Sequence, residues 1–157
     1  MKKAAVFTVV FALGVALGTF VAPQVLQAQQ LGTAAEAKAM LEKAVAAVKA
    51  DQTKALAMFN NGEGGFKDRD LYPFCFESGT GTVAATPVKN LIGTDVRALK
   101  DKTGKPFGED FYRAAQTVTV TEVSYMFPRP GTDTTPVEKI SFVTKVGDLG
   151  CGVGYYK

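Results

Sequence analysis

Apolar positions along this chain follow three different spacings. Ala4 to Val21 is an apolar run without a charge. From Met40 the apolar residues recur as Met40, Leu41, Ala44, Val45 and Val48, the spacing of one helical stripe. Thr33-Ala34-Ala35-Glu36 precedes that stripe as a capping box, with side chains suited to the free N–H groups of a helix start. Asp51 is placed to cap a second helical piece bringing Leu56 and Phe59 to the same core, and Asn60-Asn61-Gly62 ends it.

Beyond Gly64 the pattern changes to short strands and turns. Leu71 to Glu77 reads as an aromatic strand, followed by a turn at Gly79-Thr80 in which Gly79 supplies the positive φ of a tight hairpin. A second strand stops at Pro87, which lacks the N–H a continuing strand needs. An Asn90-Leu91-Ile92-Gly93 corner, a brief helix and a Lys102-Thr103-Gly104 turn follow. Pro106 to Ala115 then reads as a short helix with Phe107, Phe111 and Ala115 on one side. Val118 to Phe127 reads as a long third strand, and a phase change between Val120 and Val123 implies a bulge or a later start. After a Pro128–Pro136 loop, Glu138 to Val146 and Gly150 to Tyr156 form the last two strands, joined at Gly147-Asp148. This order predicts an α+β fold, a five-stranded antiparallel sheet with a long N-terminal helix on one face and short helices between strands 2 and 3. Gly150, Gly152 and Gly154 fit a strand that other groups approach closely.

The apolar run near the start changes the reading of charge and compartment. Lys2 and Lys3 precede it, Pro23 breaks it, and Leu26-Gln27-Ala28 resembles a signal-peptidase site. Residues 1–28 are therefore expected to be a signal peptide and 29–157 one domain, periplasmic or secreted. An uncleaved membrane tether is the alternative. Removing Lys2 and Lys3 from 18 basic residues leaves 16 against 15 acidic ones, a near-neutral domain without the basic patch that nucleic-acid binding requires.

Cys75 and Cys151 are the two cysteines, and export permits a disulfide. If the first and last strands are antiparallel neighbours, pairing these cysteines also pairs Pro73 with Val153 and Leu71 with Tyr155, all on one face. Two separate buried thiols are the alternative.

Catalytic chemistry finds little to stand on. The chain has no histidine, hence no imidazole base or ligand. No glycine-rich phosphate loop opens a helix, and no cofactor is expected. The expectation is a protein that is not an enzyme. A binding face has more support. With Phe127 opposite Lys139 and Tyr125 opposite Ser141, the period of two gathers Val123, Tyr125, Phe127, Lys139, Ser141 and Val143 on one face. A lysine among aromatics there suits a small carboxylate held by the ammonium and a tyrosine hydroxyl. The bland alternative is a lysine whose stem packs on Phe127 while its head reaches water at the hairpin end.

The succession of aromatic strand, Gly-Thr turn, Ala85-Thr86-Pro87, Asn-Leu-Ile-Gly corner, Val123-Ser124-Tyr125-Met126-Phe127-Pro128, Lys139-Ile140-Ser141-Phe142-Val143 and closing Gly152-Val153-Gly154-Tyr155 resembles single-Cache sensor domains, extracytoplasmic relatives of PAS domains. The resemblance implies that the last strand lies mid-sheet beside the first. It also implies a pocket for small organic acids or other metabolites between the sheet and the segment linking strands 2 and 3. The matching lysine is Lys139. Thr86 stands where relatives commonly have histidine and Phe127 where they often have tryptophan, so a relative's ligand does not transfer. The candidate ligand residues are Lys139, Tyr125, Phe127, Thr86, Phe111 and Tyr112.

Two functions follow as expectations. One is an exported single-Cache module binding a small anionic metabolite for sensing or delivery. No kinase, chemoreceptor signalling segment or second apolar run follows Tyr156, so a signal would pass to a membrane-bound partner. The other is a ligand-free structural module that forms a homodimer through its N-terminal helix.

Overall fold

The capping box forms. In the computed structural model, which describes residues 30–131 and 133–157, Thr33 Oγ1 accepts the Glu36 N–H and the Glu36 carboxylate accepts the Thr33 N–H at 2.8 Å. It opens α1 (Ala34–Ala50), which buries Ala37, Met40, Leu41, Ala44 and Val48. Asp51 caps α2 (Gln52–Asn61) by accepting the Lys54 N–H, and Gly62 ends it in the left-handed region at φ 70°. The leader expected over residues 1–28 lies outside the described residues.

Five strands follow: β1 (Pro73–Glu77), β2 (Val83–Ala85), β3 (Thr121–Pro128), β4 (Pro136–Val146) and β5 (Leu149–Tyr156). They form one sheet in the order β2-β1-β5-β4-β3, every pair antiparallel. The last strand therefore lies in the middle, beside the first. Pro73 opposes Val153 and Cys75 opposes Cys151, and the two cysteines form a disulfide. The ladder begins at Pro73, so the expected pairing of Leu71 with Tyr155 is not part of it. Leu71 instead bridges Asp68 and is fully buried.

Each face of the sheet carries its own core. On one face α1 and α2 pack Leu41, Phe59 and their neighbours against Cys75, Cys151, Phe142 and Val153. On the other, α3 (Phe107–Ala114) and a 3₁₀ turn at Val96–Ala98 pack on Phe76, Val123, Tyr125 and Val143. Alternation along the strands sends neighbouring side chains to opposite cores. Burial on both sides explains why β5 is inaccessible along most of its length.

Three further expectations need correction. The positive φ of the first hairpin is at Gly81 (φ 81°) and not at Gly79, because the turn closes through the Gly81 N–H to the Glu77 carbonyl. The third strand starts at Thr121 and not at Val118, so the phase change marks a later start, and Val118 and Val120 are left exposed. The β3–β4 register is two residues from the expected one: Tyr125 opposes Lys139, Val123 opposes Ser141 and Phe127 opposes Val137. Pairing runs on to Pro128 and Pro136, so the connecting loop is shorter and Lys139 lies deeper in the sheet. An even shift keeps every side chain on its expected face.

Candidate functional site

The second face holds a cavity of about 290 Å³. Tyr72 and Phe74 come to it from β1 and the residue before it, Tyr125 and Phe127 from β3, and Phe107 and Phe111 from α3. The segment from Thr86 to Lys100 closes the remaining side with Val88, Leu91, Val96 and Leu99. The rings order one another. Phe107 stacks on Tyr125 at 4.3 Å between centroids, Phe74 on Phe111 at 4.9 Å, and Phe111 meets Tyr125 edge-on at 5.3 Å.

Glycines on β5 make room for this layer. A Cβ at Gly150 would lie 2.6 Å from the Phe76 ring, and one at Gly152 would lie 2.5 Å from the Phe74 ring. One at Gly154 would lie 2.5 Å from Ser141 Oγ and 2.7 Å from Lys139 Cε. Any side chain at these positions would push aromatic rings or Lys139 off the strand.

The segment over the cavity is fastened by Asp101. Its carboxylate accepts the Thr103 hydroxyl at 2.6 Å and the Thr103, Lys105 and Met126 N–H groups at 2.8, 3.0 and 3.0 Å. These bonds, the Thr103 hydroxyl foremost, hold the acid near 2. The Lys102-Thr103-Gly104 turn is thereby tied to β3, next to Tyr125 and Phe127.

Lys139 is only 2% exposed. Its Nζ lies 4.5 Å from the centre of the Tyr156 ring, 4.8 Å from Tyr72 and 5.4 Å from Phe127. The ring faces partly replace lost water, but none of the ion pairs among the described residues includes Lys139. Burial brings its pKa down to about 8, against the opposing pull of the Asp70 charge. Tyr72 and Phe127 belong both to this cage and to the cavity wall. Tyr125 and Ser141 share a hydrogen bond of 3.0 Å between hydroxyls, and burial pushes the Tyr125 phenol far up.

Of the residues singled out from sequence, Tyr125, Phe127, Thr86 and Phe111 line the cavity, whereas Lys139 does not line it and lies against the Tyr72 and Phe127 rings, which do. Tyr112 is not among them. Its hydroxyl donates to the Gly79 carbonyl at 3.0 Å and Arg97 lies over its ring, so it braces the β1–β2 turn. The Thr86 hydroxyl accepts the Val88 N–H and turns the chain after β2.

Sequence reasoning missed Tyr72, Phe74 and Tyr156. A period-two signal existed for the first two, since Tyr72, Phe74 and Phe76 alternate with Pro73 and Cys75. Tyr156 meets Lys139 only through the β4–β5 register, which the sequence pattern does not set. Among the described residues no cluster of acidic or cysteine side chains is suited to a metal.

Comparison with known proteins agrees with this architecture. The profile of the family "Single Cache domain 2" matches residues 17–156. A methyl-accepting chemotaxis protein from Vibrio parahaemolyticus RIMD 2210633 superposes with a TM-score of 0.61 at 21% identity, over 78% of this chain and 86% of that one. A periplasmic sensor domain of a chemotaxis protein gives 0.59 at 25% identity, over 78% and 88%. A Cache chemosensory domain described for its carboxylic acid recognition gives 0.57 at 21% identity, over 78% and 86%. Among curated proteins no sequence relative reaches significance.

Proposed function

Because the chain belongs to the single Cache domain 2 family, we propose that it is an extracytoplasmic module that binds a small organic anion for sensing or delivery, with Lys139 as the anchor. The observation that carries this reading is the buried Lys139 ammonium, caged by three rings and without an ion pair among the described residues. A buried cation costs several kcal/mol when no counter-charge is in contact with it, and Asp70, whose charge acts on Lys139, makes no ion pair with it. A carboxylate entering between Tyr72 and Phe127 would supply one through a charge-assisted hydrogen bond.

Cavity size and lining narrow the ligand. About 290 Å³ walled by Phe74, Val83, Leu91, Phe107 and Phe111 accommodates a few carbon atoms and favours an apolar tail. A structural neighbour is described for carboxylic acid recognition. At its level of identity that likeness speaks for the fold, so the ligand class proposed here rests on Lys139. Residues 1–28 are proposed as the export signal, since Lys2, Lys3, the apolar run and Leu26-Gln27-Ala28 stand in the required order. No helix among the described residues is long and apolar enough to cross a membrane.

A thermal-shift screen of short carboxylates, amino acids and purines tests the reading. A ligand at a hundred times its dissociation constant adds about 2.7 kcal/mol of stability. Stabilisation by carboxylates is the expected result. A protein that no anion stabilises would support the ligand-free structural module instead.

A further inference from the structure

One short segment, Asp68 to Tyr72, holds the start of α1 and supplies one of the three rings that cage Lys139. Arg69 takes a left-handed backbone (φ 55°), uncommon for a residue with a side chain. From there Arg69 Nη1 donates to the Leu31 carbonyl at 3.2 Å and Nη2 to Glu36 Oε1 at 2.7 Å. Asp70 Oδ1 accepts the Gly32 N–H at 2.6 Å. Asp70 is 2% exposed, and its Oδ2 has no hydrogen-bond partner. Two residues later the Tyr72 ring lies against Lys139 Nζ at 4.8 Å.

We propose that Asp70 is a positioning residue that ties the charge state of the Lys139 cage to the start of α1. One carboxylate oxygen holds the Gly32 N–H, while the buried charge of the whole group acts on the cage. Asp70 precedes by two residues the Tyr72 ring that lies 4.8 Å from Lys139 Nζ, and its charge opposes the burial-driven fall of Lys139 and adds to the burial-driven rise of Tyr72 and Tyr156. Cancelling the ammonium's charge, by proton loss or by a bound anion, leaves a buried carboxylate that relies more on Gly32. The load on the Gly32–Asp70 hydrogen bond therefore changes with the state of the site.

The tyrosines facing the cage and the charged groups of the Arg69 clamp keep their state through the relevant window. Facing Lys139, Tyr72 before β1 is pushed up to about 12, and Tyr125 on β3 and Tyr156 on β5 are pushed higher still. Arg129, beyond the end of β3, stands over the Tyr156 ring. At the clamp, hydrogen bonds with Arg69 hold Glu36 near 2 and Asp68 below its ordinary value, and the same bonds raise Arg69.

This coupling deepens the anion-binding reading, yet its test needs no ligand. The purified protein is titrated between about pH 6 and pH 10 by NMR, following Lys139 ¹³Cε and the Gly32 amide. The expected result is one shared midpoint near 8 for both nuclei. Lys139→Met should abolish the Gly32 response. Asp70→Asn keeps an oxygen for Gly32 and removes the charge, so it should move the Lys139 midpoint to lower pH. A Gly32 amide that stays flat while Lys139 titrates would overturn the proposal, as would an unchanged midpoint in Asp70→Asn. Should Asp70→Asn fail to fold, the Gly32 comparison between wild type and Lys139→Met decides alone. Failure of every carboxylate to bind would count against the anion reading and leave these outcomes standing.

Discussion

The Lys139 ammonium lies 4.8 Å from the centre of the Tyr72 ring, and that ring is also part of the cavity wall. One aromatic side chain thus borders both a buried charge and a space lined mostly by apolar groups. Tyr156 and Phe127 complete the cage. Its position depends on β4 being an inner strand: with β3 on one side and β5 on the other, the Lys139 stem has no short route to water.

The burial of Lys139 makes stability depend on pH in a defined direction. Its pKa is about 8 in the folded protein against an ordinary 10.5. Below both values each state holds the proton and the cost of burying charge is fully present. Between them the unfolded chain binds more protons, so stability rises with pH, by about 3 kcal/mol across the window. Urea denaturation of wild type and Lys139→Met over this range isolates the effect, because other groups cancel in the difference. The wild type should gain on the variant as pH rises. A constant difference would mean that the lysine head reaches water.

Gly154→Ala tests the packing that holds the lysine. The new Cβ would lie 2.5 Å from Ser141 Oγ and 2.7 Å from Lys139 Cε, so the Tyr125–Ser141 bond or the lysine stem must move. A loss of about 1–3 kcal/mol is expected by chemical denaturation. Gly79→Ala is the control: no atom lies within 4 Å of its added Cβ, and a change within about 0.5 kcal/mol is expected. Equal effects at the two positions would contradict the close approach.

The Cys75–Cys151 bond joins the first strand to the last across 76 residues. Closing so long a loop should stabilise by about 4 kcal/mol on the chain-entropy argument. Denaturation of the double variant Cys75→Ser/Cys151→Ser against the oxidised wild type measures it. A loss below about 1 kcal/mol would show that the cross-link contributes little beyond the packing of β1 on β5.

How much of this was legible in the sequence depends on the range of the interaction involved. The Thr33–Glu36 box, the α1 stripe and the Phe107–Phe111 spacing are local, and the structure follows them. The face shared by Tyr125, Phe127, Lys139 and Ser141 was also legible, because alternation survives a shift of two residues. The register itself was not. Loop length decides it, and the Pro-rich connection gave no marker for where pairing stops. That shift moved Lys139 from an expected hairpin end to a buried cage. The Asp70–Gly32 bond joins residues 38 apart through the left-handed turn at Arg69, and no periodicity announces such a turn at an arginine. Tyr112 adjoins Phe111 in the chain, but adjacent helical residues diverge by about 100° and it faces the β1–β2 turn.

Anchoring of an organic anion by Lys139 is the central claim, and calorimetric titration of one carboxylate into wild type and Lys139→Met tests it most directly. The ligand is the short carboxylate that gives the largest shift in the thermal screen. Lys139→Met keeps much of the stem and removes the charge. Loss of a charge-assisted hydrogen bond worth about 1.5–3 kcal/mol should weaken binding at least about tenfold, with the fold retained. Equal affinity in the two proteins would contradict the account and place the anion elsewhere in the molecule.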